Sequence, residues 1–229
     1  MIVKENNCFD YFENDVNSKV IELIPDYFGD DRGYFMEVLR YDNKNTENLP
    51  TVLRNPNYIK QINRSSSSKS VFRGFHAQFG PHCQGKLVEV LTEKVYDIIV
   101  DVRPNSKSFG ISAVVLLDSK THNKLWVPRG FLHGFIVPNS VTSNVLFEYV
   151  CDNVYSKESE INIKPDSILD KIFLDINLLD NKDIFNDLID TFNNNQLKFS
   201  EKDMCGENYE SFLSKIKNEY IKTGRLWFN

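Results

Sequence analysis

From Tyr58 to Val150 the chain repeats one pattern: a short run of β-branched or aromatic residues, then a cluster of turn formers. The runs are Tyr58–Asn63, Leu87–Leu91, Val95–Val102, Ser112–Leu117, Lys124–Val127 and Asn144–Val150. Arg103-Pro-Asn-Ser, Asp118-Ser-Lys-Thr-His-Asn and Pro138-Asn-Ser punctuate them. Short strands at that spacing predict an all-β sandwich or barrel. Two of the four histidines fall among them, in Phe72-Arg-Gly-Phe-His-Ala-Gln78 and Pro128-Arg-Gly-Phe-Leu-His-Gly-Phe135, with Gln84-Gly-Lys-Leu-Val88 between. A small barrel lines a polar interior in this way. His82 and His122 lie in turn-like contexts.

The texture changes after about residue 165. Ile168, Ile172, Leu178, Leu179, Ile184, Phe185, Leu188 and Ile189 recur at loosely helical spacing, with acidic residues between them. Tyr209, Phe212, Leu213, Ile216 and Tyr220 fall on one helical face, and Gly224 reads as its stop signal. These patterns predict a barrel over residues 1–165 and a helical extension packed on it over 166–229. Ser65–Ser68 and the Asn-rich stretch Tyr41–Asn48 read as loops.

Composition narrows the function classes. Net charge is −5, and no run of Lys and Arg is long enough to track a phosphate backbone, so no nucleic-acid partner is expected. No apolar stretch approaches the ~20 residues of a membrane span. The first residues, Met1-Ile-Val-Lys-Glu-Asn-Asn, lack a signal-peptide core, so a cytoplasmic protein is expected. Cys8, Cys83, Cys151 and Cys205 are scattered without metal-type spacing and read as reduced thiols.

Further blocks follow in a fixed order. They are Asp30-Asp-Arg-Gly-Tyr-Phe-Met-Glu37, Gln61-Ile-Asn63, Lys69–Gln78, Gln84–Val88, Val95–Arg103, Ser108-Phe-Gly110 and Trp126–Phe135. Tyr149, then Tyr155 before Glu158 and Glu160, and Ser200-Glu-Lys-Asp203 complete the set. Any one block is weak, but together they resemble the dTDP-4-dehydrorhamnose 3,5-epimerase family of nucleotide-sugar epimerases. The resemblance implies a mainly β, cupin-like double-stranded β-helix (jelly-roll) barrel with C-terminal helices. It further implies a homodimer that uses an N-terminal strand for dimerisation, and catalysis without a metal or organic cofactor. The implied substrate is a nucleoside-diphosphate 4-keto-6-deoxy sugar, hexose or heptose, inverted at C3, C5 or both and used in cell-surface sugar biosynthesis.

Inversion beside a ketone needs a base, a positive group at the ketone oxygen, and an acid on the opposite face. By the resemblance, His76 is the base, Asp203 holds its ring, Lys86 faces the 4-keto oxygen and Tyr155 returns the proton. Tyr149 is the alternative to Tyr155, and Ser-Glu-Lys-Asp also reads as a helix N-cap and first turn. His133 would lie near the sugar with Gln78. Arg73 and Arg32 match diphosphate and nucleotide contacts, Arg32 reaching in from a partner subunit. Phe35 and Glu37 match residues near the base, and Gln61 and Asn63 match sugar or phosphate contacts.

Some positions depart from the family pattern. Ser70 and Glu93 stand at usual glycines, and Asn162-Ile-Lys-Pro-Asp166 replaces a Trp-Asp-Asp-Pro region. These changes leave open the nucleobase, the carbon count of the sugar and the number of centres inverted. A cupin 3,4-ketoisomerase and a non-catalytic nucleotide-sugar-binding cupin are the alternatives. A metal-dependent cupin is disfavoured because the strands lack paired His-x-His spacing.

Overall fold

The computed structural model describes residues 1–12, 15–41, 49–177, 186–194 and 197–228. Leu178, Leu179, Ile184 and Phe185, expected in helix, lie outside the described residues, as does the Asn-rich stretch 42–48. The early strands are β1 (Ile2–Glu5), β2 (Ile21–Ile24), β3 (Tyr27–Asp30) and β4 (Gly33–Met36). The barrel strands are β5 (Gln61–Ser67), β6 (Phe72–Gln78), β7 (Lys86–Val90), β8 (Lys94–Asp101) and β9 (Ser112–Asp118). They continue with β10 (Lys124–Val127), β11 (Phe131–Ile136), β12 (Val145–Cys151) and β13 (Glu160–Asn162). The helices are α1 (Thr51–Arg54), α2 (Leu169–Asn177), α3 (Asn186–Asn193), α4 (Glu201–Met204) and α5 (Tyr209–Thr223). Among the described residues, no helix is long and apolar enough to cross a membrane.

Two antiparallel sheets carry the core, ordered β1-β2-β10-β7-β12-β5 and β13-β6-β11-β8-β9. Alternation along each strand sorts the side chains between layers. Val88 and Val90 of β7, Phe147 of β12, Ile99 of β8 and Phe131 and Phe135 of β11 meet between the sheets. The other face of the five-stranded sheet presents Phe75, Ala77, Tyr96, Ile98, Val100, Leu132 and Ile136. Leu169, Ile172, Phe173, Leu188, Tyr209, Phe212 and Ile216 of the helical segment cover it. Such a sheet face must be buried somewhere, and each fully buried side chain of this size contributes ~1.5–3 kcal/mol. Helix α5 starts under an Asn208 cap and ends at Gly224 with φ 65°, the stop that the sequence predicts.

Ser65–Ser67 form the second half of β5, where the sequence predicts a loop. Serine has little strand preference of its own, but β12 lies alongside and pairs Ser65 with Phe147 and Ser67 with Val145. The ladder overrides local propensity. Tyr58 instead closes a 3-10 turn, so β5 begins only at Gln61.

Strands β6 and β11 approach closely beside the two barrel histidines. A Cβ on Gly74, which has φ 127°, would lie 2.6 Å from Gly134 Cα and 2.8 Å from the His133 carbonyl oxygen. The pairing register shifts between His133 and Phe135, a bulge that re-aims the side chains next to it. Gly74→Ala should therefore destabilise the fold by about 1–3 kcal/mol through overpacking. A lower urea midpoint at unchanged m would register it.

Candidate active site

A cavity of about 490 Å³ lies between the sheets and the C-terminal segment. The six-stranded sheet lines it with Ser65, Lys86, Phe147 and Tyr149, and the five-stranded sheet with Arg73, His76, His133 and Phe135. Lys198, Phe199, Ser200, Lys202 and Asp203 close it from the C-terminal side. Parallel bridges Val71–Lys198 and Ile163–Glu207 pin that segment at both ends.

His76 and His133 are directly paired residues of β6 and β11. On β6, Phe75 and Ala77 pack toward the helices, so the alternate residue His76 faces the cavity. Each imidazole has its own carboxylate. His76 Nε2 donates to Asp203 Oδ1 at 2.7 Å, and His133 Nε2 to Asp97 Oδ1 at 2.7 Å. With Nε2–H engaged, Nδ1 of His76 keeps the ring's proton-accepting lone pair.

Asp203 sits in the four-residue helix α4, and its backbone N–H donates to Ser200 Oγ at 3.1 Å. The two sequence readings of Ser-Glu-Lys-Asp therefore coexist: a helix cap that also delivers a carboxylate. Burial alone would raise the Asp203 pKa. The hydrogen bond from His76 and the contacts with Ser200 outweigh it and hold the carboxyl below its ordinary range.

Lys86 follows Gly85 at the start of β7 and shares the inward face with Val88. Burial pushes its ammonium pKa down, while Cys151 and Asp97 oppose that shift. Asp97 is fully buried, and its Oδ2 has no hydrogen-bond partner among the described residues. The Lys86 ammonium lies 5.7 Å from the Tyr149 ring centre. Burial raises the Tyr149 pKa, with Cys151 adding and Arg73 opposing, so this phenol keeps its proton at neutral pH.

The cavity thus brings together five of the expected site residues: Arg73, His76, Lys86, His133 and Asp203. Tyr155 is not among its walls. It is exposed past the end of β12, and its phenol donates to Glu160 Oε2 at 3.2 Å. Tyr149, weighed as its alternative, is the tyrosine that lines the cavity. The reason is parity: Tyr149 shares the inward face of β12 with Phe147 and Cys151, whereas Tyr155 lies beyond the strand.

Gln61, Asn63 and Gln78 are engaged in the protein's own frame. Gln61 Nε2 donates to Asn63 Oδ1 at 2.9 Å, and Gln61 Oε1 accepts from the Tyr155 backbone at 2.8 Å. Buried Gln78 accepts from Ser156 N at 2.8 Å. Arg32, Phe35 and Glu37 do not line this chain's cavity. Arg32 and Phe35 belong to the β3–β4 hairpin, whose Tyr27, Phe28, Tyr34 and Phe35 are all exposed. Arg32 pairs with Asp30 at 2.6 Å, and Glu37 with Arg40 at 3.3 Å.

Sequence reading missed Asp97, Phe199 and Lys198. Asp97 carried a usable signal, since a carboxylate in the middle of an apolar strand is costly unless something pairs with it. Phe199 and Lys198 carried none. Among the described residues, no group of three or more His, Cys, Asp or Glu side chains is arranged to hold a metal ion.

The family model described as dTDP-4-dehydrorhamnose 3,5-epimerase matches residues 17–209. The chain belongs to this family. The epimerase of that name from Escherichia coli is 42% identical over 144 residues, covering 63% of this chain and 74% of the relative. The Pseudomonas aeruginosa epimerase is 34% identical over 167 residues, covering 72% and 87%. A Legionella pneumophila 3,5-epimerase crystallised with dTDP-4-keto-L-rhamnose superposes with a TM-score of 0.64. That match has 30% identity and covers 94% of this chain and 96% of the other. The Elizabethkingia anophelis epimerase gives 0.65 at 31% identity, covering 91% and 97%. This family member is therefore an isomerase, built on the mainly β, cupin-like barrel that its sequence implies.

Proposed function

We propose that the protein epimerises a dTDP-linked 4-keto-6-deoxy sugar through an enolate. The observation that carries this reading is the meeting of His76, Lys86 and Tyr149 in one cavity, with Asp203 hydrogen-bonded to the histidine. His76 Nδ1 takes the proton from the carbon beside the ketone, and the C–H electrons move into the enolate. Lys86 stabilises the negative oxygen, and Asp203 stabilises the imidazolium that forms. Tyr149 then gives its phenolic proton to the opposite face of the same carbon. The phenolate regains a proton from solvent, and His76 releases the one it took.

The diphosphate end calls for unpaired cations. Lys202 pairs with Glu160, and Lys86 is committed to the ketone. Arg73 and Lys198 line the same cavity without a carboxylate partner among the described residues. Two free positive charges suit the two negative charges of a nucleoside-diphosphate sugar. Lys198→Ala should raise KM about fivefold, near the ~1 kcal/mol of an exposed charge pair. Its kcat should stay unchanged, and the penalty should fade as salt is added. Competition by dTDP should weaken in parallel while thymidine competes as before.

The exposed aromatic hairpin supports a homodimer, in which Arg32, Phe35 and Glu37 reach a second copy's nucleotide end. The buried free thiols Cys83 and Cys151 fit a reducing, cytoplasmic setting. The direct test is NMR of dTDP-4-keto-6-deoxyglucose with the protein in deuterated water. Deuterium at C3 or C5 with an inverted centre supports the reading. Tight binding without exchange would leave a binding protein, and a carbonyl moved to C3 would make it a ketoisomerase.

A further inference from the structure

We infer that Asn162 is a positioning residue that holds the Asp203 carboxylate against His76. It is the residue of β13 paired with His76 of β6, so it is fixed in register with the base. Its Nδ2 donates to the Lys202 carbonyl at 2.5 Å. Its own carbonyl accepts from Glu207 N at 2.8 Å. One residue thus grips the chain on both sides of Asp203.

The grip matters because α4 is a single turn, too short to hold its own place. Gly206 lets the chain come in: a Cβ there would lie 2.8 Å from the Asn162 carbonyl oxygen and 2.7 Å from Lys164 N. Glu160, on the same strand, also takes the Lys202 ammonium at 2.6 Å. The Lys202 carbonyl only accepts, so the amide must turn its NH₂ toward it. That leaves Asn162 Oδ1 buried with no hydrogen-bond partner among the described residues. An unpaired buried acceptor opposes stability. It is tolerated here at the side chain that anchors the backbone next to Asp203.

The kinetic part of the inference rests on the epimerase reading. Asn162→Ala and the milder Asn162→Ser should each lower kcat about tenfold, the scale of a sub-ångström misplacement. KM and dTDP affinity should stay at wild-type values. In an Asp203→Asn background, Asn162→Ala should cost almost nothing further, because the group it positions is already gone. A full additional loss in that background, or an unchanged kcat in both single variants, would overturn the inference. Proton NMR of the free protein gives a readout that needs no substrate. The downfield imidazole N–H signal that Asp203→Asn abolishes should move upfield in Asn162→Ala. A signal that stays put also overturns the inference. Wild-type protein that exchanges no substrate proton would sink the epimerase reading instead, and the imidazole signal would still decide the role of Asn162.

Discussion

Alanine at His76 should stop deuterium uptake at C3 and C5 and lower kcat/KM by about 10²–10⁴, the contribution of a positioned general base. Binding of dTDP should persist, because Arg73 and Lys198, the cavity cations proposed to hold the diphosphate, are untouched. The size of the loss follows from the arrangement. His133, the other imidazole in the cavity, has its Nε2 bound to Asp97 at 2.7 Å and is nearly buried between the sheets. Its side chain is only 10% exposed against 31% for that of His76, so substrate in the cavity reaches it less readily. Asp203→Asn should lose activity in the same direction but by less, since the ring remains while its partner no longer favours the charged form. Residual exchange in His76→Ala close to the wild-type rate would mean that another group removes the proton.

Phenylalanine at Tyr149 should separate two steps that the wild-type enzyme performs together. Proton removal by His76 continues, so exchange into substrate stays measurable. Net inversion falls about 10²-fold for want of the acid on the other face. Tyr155→Phe should leave both within about threefold, the scale of a lost exposed hydrogen bond. The contrast is direct because the two tyrosines differ in setting. Tyr149 is half-buried against the Lys86 ammonium, while Tyr155 is exposed and bonded to Glu160. The reverse outcome, with inversion lost only in Tyr155→Phe, would return the acid to the residue beyond the strand.

Much of this architecture was legible in the sequence because strands and amphipathic helices announce themselves by period. The runs around Val95 and Ser112 became β8 and β9, and the apolar face of Tyr209, Phe212 and Ile216 became the buried side of α5. The β5 serines escaped notice because their strand state is imposed by β12 rather than by their own preference. The choice between tyrosines was readable in principle: Phe147, Tyr149 and Cys151 share one parity, and two of them are obligate core residues. Lys198 was not readable. Its place in the cavity depends on a long-range bridge to Val71, which no local pattern encodes.

The carboxylate that steadies the base lies late in the chain, whereas the imidazole it serves belongs to an early barrel strand. A ribosome releases these parts in that order. A nascent chain can close its sheets well before residue 203 has left the exit tunnel, and until then it carries a histidine without its counter-charge. Under the proposed mechanism the base therefore gains its counter-charge only when a single helical turn docks against a barrel that is already assembled.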